Sequence, residues 1–489
     1  MRALKTLILK VKDKKDSIIS FGFAFALMVW LLKQTVAMGV GVGGDVTDIW
    51  KTITSFYSGD IQPSYVLYKG FLSVYPYVWF YELSKVFGVG SWFFIKIFHC
   101  FLFSYVSAIG FPYIVSKLLK IEIKFWRRML VIFLMFILWK PNCALQHMMI
   151  DLPSLTLFVL SVTAALKIAE NKLKTRKSFF IYAGLIMGMA STYTGQYLPA
   201  ILLLVVYVLV SIFSKSKEDL DTKKLNRVLS AACLLIALLI PRAYNSYFEK
   251  TVVDPLRESG GWIPSSNTWT NLGLGQAKRR YNLFFEATIP NNRSLAIIKQ
   301  DKGEEYEAFA ANGVYSKEEV FNLIRKHPVD FITSWCNSFL LTVSMRGQHR
   351  AVLCLFTSHT ALFLAMYAIF KRRKTLKDFF AKDILIIIGF ISSGLVTCLM
   401  HFEPRYVMAF QGLFLSMGLL DDTLWHGIKN FVLWVKKMFS KEDHISISEM
   451  KFPYAFAIYV LFVIMCFTNY AALLENVGPD PSILFNWIY

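Results

Sequence analysis

Long runs of apolar residues, separated by short polar segments, dominate the pattern along this chain. Many runs reach the roughly 20 residues that an α-helix needs to cross a hydrocarbon core about 30 Å thick. The runs are continuous and lack the alternation of a membrane barrel strand, so the spanning elements are expected to be helices. The pattern therefore predicts an all-α integral membrane protein with many transmembrane helices.

The positions of Lys and Arg predict the side on which each polar segment lies, because basic residues are enriched in cytoplasmic loops. The basic N-terminal tail leads into an apolar run without a small-residue cleavage site, which favours a retained first span and a cytoplasmic N-terminus. The alternation predicts about eleven spans, with the plasma membrane as the expected location. The predicted spans are Ser17 to Val36, Trp92 to Ser116, two hairpins over Met129 to Leu166 and Phe179 to Phe213, Val228 to Ala243, Val352 to Phe370, Ile384 to Met400, Tyr406 to Leu420 and Pro453 to Ala471.

A hydrophilic stretch of roughly 100 residues separates two groups of apolar runs. It divides the chain into an N-terminal transmembrane module with an acidic first external loop (residues 1–244), an external loop region (245–350) and a C-terminal transmembrane module (351–489). Within the loop region, an apolar face along residues 320–324 predicts an amphipathic helix. We expect this region to rest largely on the membrane surface.

Charge and cysteine content exclude several classes of function. The formal net charge is +20, but the excess of basic residues sits in short loops beside apolar runs. This is the signature of membrane topology, so no nucleic-acid partner is indicated. The seven cysteines show no CxxC spacing, which indicates neither a zinc site nor a disulfide framework. Membrane lipids are the partner that the composition predicts.

Two carboxylates, Asp45 and Asp48, follow directly after the first span. One interpretation is local: Asp45 or Thr47 caps a short helix, and Asp48 favours its positive N-terminal end. The apolar face of that helix would consist of Ile49, Ile53, Phe56 and Tyr57. The functional interpretation is that a carboxylate at the low-dielectric edge of a membrane accepts a proton from a hydroxyl group, as general bases do. Both interpretations stay open.

The glycines before these acids match the spacing GxGxxG at Gly39, Gly41 and Gly44. They follow a membrane helix and not a strand, so a nucleotide site is not indicated. We predict that they form a flexible turn where the backbone leaves the bilayer. A separate GxxxG spacing at Gly184 and Gly188 is expected to serve helix packing.

The second external turn carries His147 and Asp151, which would share one face if the segment is helical. Together with Asp45 and Asp48 they are candidate ligands for a divalent cation. The favoured alternative is a polar turn in which Asp151 caps a helix. A metal cofactor therefore stays an open alternative.

A compact late turn contains His401, Glu403, Arg405 and Tyr406 between two apolar spans. Arg405 presents a planar set of donors that suits two phosphate oxygens, with Glu403 to orient it and Tyr406 as a further donor. Such a phosphate would belong to a lipid. The alternative is a Glu403 to Arg405 pair that only neutralises itself.

In order along the chain, these segments resemble a known family. They are the acidic first loop with Asp45 and Asp48, Tyr68-Lys69, Val74-Tyr75-Pro76-Tyr77, Asp151, and Glu403-Pro404-Arg405-Tyr406. This arrangement resembles the C superfamily (GT-C) of multi-spanning glycosyltransferases, especially its protein mannosyltransferase and aminoarabinose transferase branch. The resemblance covers the N-terminal half and the late turn. An adjacent Asp-Glu pair, which the family has after the first span, is missing.

The resemblance implies a polyprenyl or dolichyl phosphate-sugar donor and transfer on the external side to a glycan, lipid or protein acceptor, with inversion at the anomeric carbon. Asp45 would be the catalytic base, with Asp48 and Asp151 as supporting acids. Because the Asp-Glu pair is missing, Asp45 and Asp48 both remain candidates for the base. The residues implied to bind the donor phosphate are Arg405, Tyr406, Glu403 and Lys69. The competing interpretations are a polysaccharide polymerase or ligase, and a transporter or flippase.

Overall fold

The computed structural model describes residues 2–39, 45–57, 71–140, 145–171, 177–193, 195–213, 221–255, 317–326, 328–329, 332, 351–377, 379–399, 404–440, 454–461 and 464. Every regular element in these ranges is helical, which confirms the all-α class. The longer helices are α1 (Arg2–Lys33), α2 (Asp45–Ser55), α3 (Tyr75–Val86), α4 (Phe93–Ser104), α5 (Phe111–Leu119), α6 (Phe125–Trp139), α7 (Asp151–Asn171), α8 (Lys177–Tyr193), α9 (Leu198–Phe213), α10 (Asp221–Phe248), α11 (Lys317–Lys326), α12 (Ala351–Arg372), α13 (Ile384–Leu399), α14 (Met408–Leu420) and α15 (Thr423–Ser440). Short 3₁₀ or π turns occupy Phe71–Ser73, Tyr105–Gly110, Gly195–Tyr197, Glu249–Val253, Phe379–Asp383 and Pro404–Val407.

Within the described residues, five helical segments are long and apolar enough to cross a membrane, as in an integral membrane protein. They are Lys14–Lys33, Phe93–Leu119, Asp151–Glu170, Gly195–Phe213 and Leu225–Val252. A bent pair, Arg405–Leu420 and Trp425–Lys437, meets at 51° and would make a sixth. Other predicted spans form shorter helices, such as α6 with 15 residues and α8 with 17. At about 1.5 Å per residue these rise roughly 23 and 26 Å, which is less than the thickness of the hydrocarbon core.

The chain divides into two compact units. The first unit comprises residues 1–266 and 375–393, and the second comprises 267–374 and 394–489. The division at residues 244 and 350 that the sequence suggests stays a prediction.

In the first unit, contacts between helices show that α4 runs opposite to α1 and that α6 runs in the same direction as α1. Lys96, near the start of α4, donates from Nζ to the carbonyl oxygen of Leu32 near the end of α1, at 2.9 Å. Arg128, near the start of α6, donates to the hydroxyl of Ser17 in the first half of α1. Arg127 and Arg128 belong to a basic cluster predicted to face the cytoplasm, yet both side chains are buried.

At the far ends of α5, α7 and α9, charged side chains join helices that are distant in sequence. Lys117 forms an ion pair with Glu170, with 2.5 Å between Nζ and Oε1. The hydroxyl of Tyr207 donates to Oδ1 of Asp383 at 3.0 Å. All four residues lie near loops that the Lys and Arg pattern predicts to be cytoplasmic.

Close approach of α8 and α10 depends on the two glycines of a GxxxG spacing, Gly184 and Gly188. A Cβ atom at Gly184 would lie 2.7 Å from the carbonyl oxygen of Leu234, and one at Gly188 would lie 2.9 Å from that of Leu238. Backbone-to-backbone packing of this kind requires small residues. The prediction that this motif serves helix packing is confirmed.

The second unit is built around the packing of α12 against α14. A Cβ atom at Gly418 would lie 2.6 Å from the carbonyl oxygen of Ala361, so these helices also meet through a glycine. Arg372 at the end of α12 holds the buried carboxylate of Asp421, with Nε and Nη2 each 2.7 Å from Oδ2. Since Asp421 follows α14 directly, this ion pair ties the ends of the two helices together.

We expect Gly184→Ala to destabilise the protein by about 1–3 kcal/mol, because the added methyl group pushes α8 away from α10. The midpoint of thermal unfolding of the purified chain in detergent measures this loss. The matched control is Gly22→Ala in α1, where a Cβ atom meets nothing within 4 Å. An equal change in both variants would contradict the packing role.

Candidate functional site

The acids of the loop predicted to be the first external one lie on α2, a short helix with one buried face. Asp45 is its first residue, although its side chain lies outside the described residues, and the side chain of Asp48 is half-buried. Ile49 and Ile53 are fully buried, as predicted, whereas Tyr57 is 66% exposed and does not belong to that face.

Thr47 does not cap α2, because it is the third residue of the helix and a cap precedes the first. The interpretation with Thr47 as the cap is therefore wrong. Its hydroxyl is buried and has no hydrogen-bond partner among the described residues.

Aromatic stacking holds α2 against its neighbours. The ring of Trp50 stacks on that of Trp92 at 3.6 Å between centroids and meets the ring of Tyr81 edge-on at 5.4 Å. Trp92 directly precedes α4, and Tyr81 lies on α3. These half-buried rings from three segments fix the orientation of α2, and with it the position of Asp48.

The first external loop is joined to the second. The backbone N–H of Met148 donates to the carbonyl oxygen of Met38 at 3.0 Å. The ring of His147 packs on Gly39, where a Cβ atom would lie 2.4 Å from Nδ1. Gly39 also has φ +81°, a conformation that favours glycine. The turn predicted at this glycine is confirmed, while Gly41 and Gly44 lie outside the described residues.

His147 and Asp151 do not share a helical face. Residues 145–150 form turns, and α7 begins at Asp151. The carbonyl oxygen of Ile150 accepts the backbone N–H of Ser154 at 2.9 Å and its hydroxyl at 2.6 Å, which fixes this start. The prediction of a shared face is therefore wrong, because His147 turns toward Gly39 instead.

Asp151 is a buried carboxylate, with 4% of its surface exposed. It occupies the first turn of α7 and is not the residue before the helix, so the cap position belongs to Ile150. A carboxylate in the first turn is stabilised by the partial positive charge at the helix N-terminus. Asp151 also interacts electrostatically with Tyr77 and Tyr197, so phenol groups surround it.

Tyr77 connects α3, α4 and the second external turn. Its hydroxyl donates to the carbonyl oxygen of Met149 at 2.8 Å and lies 2.9 Å from Nε2 of His99. Burial raises the pKa of Tyr77 well above its usual value, and the nearby Tyr193 and Asp151 add to this rise. The phenol thus stays neutral and serves as a hydrogen-bonding group. In the sequence, Tyr77 is noted only as part of an aromatic motif. Nothing in the sequence identifies His99 as its partner.

The candidate metal ligands do not form a cation site in the part of the chain that is described. No three His, Cys, Asp or Glu side chains cluster there closely enough to hold an ion. Asp48, His147 and Asp151 therefore do not suffice as a set of ligands. The side chain of Asp45, the fourth candidate, lies outside the described residues.

The candidate phosphate ligands Arg405 and Tyr406 lie in the second unit, on the 3₁₀ turn before α14. Nη2 of Arg405 donates to the hydroxyl of Tyr406 at 3.4 Å, and the guanidinium carbon lies 5.2 Å from the centre of the tyrosine ring. The stacked ring limits the orientations of the guanidinium group. Glu403 and Lys69 lie outside the described residues.

We expect Tyr77→Phe to lower the stability by about 1–3 kcal/mol, because the buried Met149 carbonyl and His99 ring lose a partner. Thermal unfolding in detergent measures the effect. Tyr57→Phe is the control, since its side chain is largely exposed. If Tyr77→Phe unfolds at the wild-type temperature, the hydroxyl does not hold these segments together.

No protein-family model, curated protein or solved structure matches this chain.

Proposed function

We propose that this chain is a membrane glycosyltransferase of about eleven spans in the plasma membrane. It would transfer a sugar from a polyprenyl or dolichyl phosphate donor to a hydroxyl group of a glycan, lipid or protein on the external side. The resemblance in the order of the acidic and basic motifs suggests this activity. The contacts between the first two external loops support it.

The junction of these loops is the observation that carries the proposal. The hydrogen bond from Met148 to Met38 and the packing of His147 on Gly39 link the segment that leads to Asp45 and Asp48 with the segment that leads to Asp151. A purely local role as helix caps does not require that acid-bearing loops from different hairpins be joined. A shared acidic site does require it.

In the proposed reaction, Asp45 or Asp48 removes the proton of the acceptor hydroxyl as its oxygen attacks the anomeric carbon. The bond between that carbon and the phosphate oxygen breaks, and the lipid phosphate leaves with the electron pair. Direct displacement inverts the anomeric centre. Asp151 is buried and held by its helix N-terminus, which suits it to a supporting role rather than to proton removal.

The leaving phosphate gains negative charge during this step, and preorganised donors stabilise such charge. Arg405, stacked on Tyr406, is the proposed donor group for this task. Glu403 and Lys69 are proposed to assist it. This role needs the planar fork of the guanidinium group and not only its charge.

Of the two variants Asp45→Asn and Asp48→Asn, we expect the one that removes the base to lower sugar transfer at least about 100-fold. Its folded yield should stay near normal. The assay uses the full chain and purified polyprenyl phosphate-sugar. Asp16→Asn is the control, since this half-buried aspartate lies on the predicted cytoplasmic side of α1. Normal transfer by both variants would exclude these residues as the base. If the wild type turns over no lipid monophosphate-sugar, the polymerase and transporter interpretations gain support.

We expect Arg405→Lys to lower the use of donor by roughly 10- to 100-fold, because lysine keeps the charge but loses the two parallel hydrogen bonds. The control is Arg373→Lys, whose guanidinium group also lies over a ring, 4.2 Å from the centre of Phe370. If the double variant Glu403→Gln with Arg405→Gln retains full transfer, the two residues only balance each other and the phosphate role is wrong.

A further inference from the structure

A cavity of about 370 Å³ opens in the first unit at the end opposite Asp151. It lies where α5, α7 and α9 end, beside the π turn that precedes α13. Its charged lining consists of Lys117, Lys120, Glu170, Lys382 and Asp383, and Ser116 and Tyr207 add hydroxyl groups. The acids of the proposed transfer reaction are absent from this lining, so the cavity is a different place in the fold.

Both carboxylates of the cavity are held by lining residues. Glu170 forms the 2.5 Å ion pair with Lys117, and Asp383 accepts the hydrogen bond from Tyr207 at 3.0 Å. The ammonium group of Lys382 lies 5.7 Å from the centre of the Tyr207 ring. With three lysines and two carboxylates, the lining has a positive balance of charge. Such a lining favours an anionic ligand over a cation.

The backbone at Lys120 supports a role for its side chain. Lys120 has φ +53° and ends α5, with its N–H donating to the carbonyl oxygen of Ser116. Glycine is the usual residue in this left-handed position, because a residue with a side chain is strained there. A lysine at this point adds an ammonium group to the lining that a glycine would not supply.

The apolar helices that border the cavity indicate which kind of anion it binds. The helical segments Phe93–Leu119, Asp151–Glu170 and Gly195–Phe213, which border the cavity, are each long and apolar enough to cross a bilayer. Leu166 and Ala169 add apolar surface to the lining. The Lys and Arg pattern predicts that this end of the helices faces the cytoplasm, where anionic lipids attract basic pockets between membrane helices.

We propose that this cavity binds the phosphate headgroup of an anionic phospholipid in the cytoplasmic leaflet. The lysines contact the phosphate oxygens, and the acyl chains extend along the apolar helices. The proposal does not depend on sugar transfer, because it concerns the other end of the first unit.

The test titrates the full-length purified chain in detergent with phosphatidylglycerol or phosphatidylcholine and counts the bound lipids by native mass spectrometry. The wild type should retain phosphatidylglycerol in preference to phosphatidylcholine. Lys117→Gln and Lys382→Gln should each weaken this retention by roughly five-fold, the effect of one lysine near an anionic lipid. Millimolar inorganic phosphate alone should not displace the lipid.

Lys85→Gln is a closely matched control. Lys85 forms an ion pair with Glu82 at 2.8 Å and lies over the ring of Tyr81, as Lys117 pairs with Glu170 and lies over Tyr113, but it is outside the cavity. This variant should bind phosphatidylglycerol as the wild type does. Lys382→Gln leaves the Lys117 to Glu170 pair in place, so it provides a second test if Lys117→Gln does not fold.

Three results would overturn the proposal. The first is that Lys117→Gln and Lys382→Gln both retain phosphatidylglycerol as well as the wild type does. The second is an equal loss in Lys85→Gln, which would mean that any paired lysine has the same effect. The third is full displacement by inorganic phosphate, which would assign the cavity to a free anion and not to a lipid.

Discussion

The ammonium group of Lys96 reaches from α4 to two carbonyl oxygens where α1 ends, that of Leu32 in its last turn and that of Thr35 just beyond it. Backbone polar groups left unpaired in a hydrocarbon environment are costly, so each end of a membrane helix needs such a partner. The hydroxyl of Tyr77 likewise reaches from α3 to the carbonyl oxygen of Met149, in the turn before α7. These contacts set the positions at which α1, α3, α4 and α7 meet, and the packing of their apolar faces depends on them.

The irregular segments between these helices follow from the same requirement. After α1 the chain turns at Met38 and Gly39. The carbonyl oxygen of Met38 there accepts the N–H of Met148 from the next hairpin. The contact needs a close approach, which Gly39 permits because it has no side chain to meet His147. Hydrogen bonding at the edge of the helices thus brings the acid-bearing loops together.

The sequence predicted those features that depend on local pattern. Continuous apolar runs predicted the spanning helices, the spacing of Ile49 and Ile53 predicted the buried face of α2, and the GxxxG spacing predicted the packing of α8 on α10. Each follows from helix geometry and the size of the side chains, which are properties of neighbouring residues.

Features that depend on distant residues were not predictable in this way. The hydrogen bonds of Tyr77 to Met149 and His99 cross three segments, and the burial of Arg127 and Arg128 departs from the solvated loop that a basic cluster suggests. Whether His147 lies on the same helix as Asp151 was left conditional, because the position at which α7 begins depends on backbone hydrogen bonds, which a residue pattern does not reveal. The prediction of the candidate site was therefore limited to residue types and their order. The contacts between the loops of the site could be identified only in the folded structure.

The hydroxyl groups inside the spans bear on the choice between an enzyme and a transporter. A transport path requires polar groups along its length, and such groups inside a membrane are costly unless they have partners. Ser104, Ser107, Ser161 and Thr163 lie within spans of the first unit, and each donates to a carbonyl group of its own helix at 2.6 to 2.8 Å. These four donors are satisfied within their own helices, whereas the buried hydroxyl of Ser20, in the span Lys14–Lys33, has no partner among the described residues. The proposed sugar transfer and the proposed lipid binding therefore rest on the acids at one end of these helices and the lysines at the other, and neither uses these four hydroxyls.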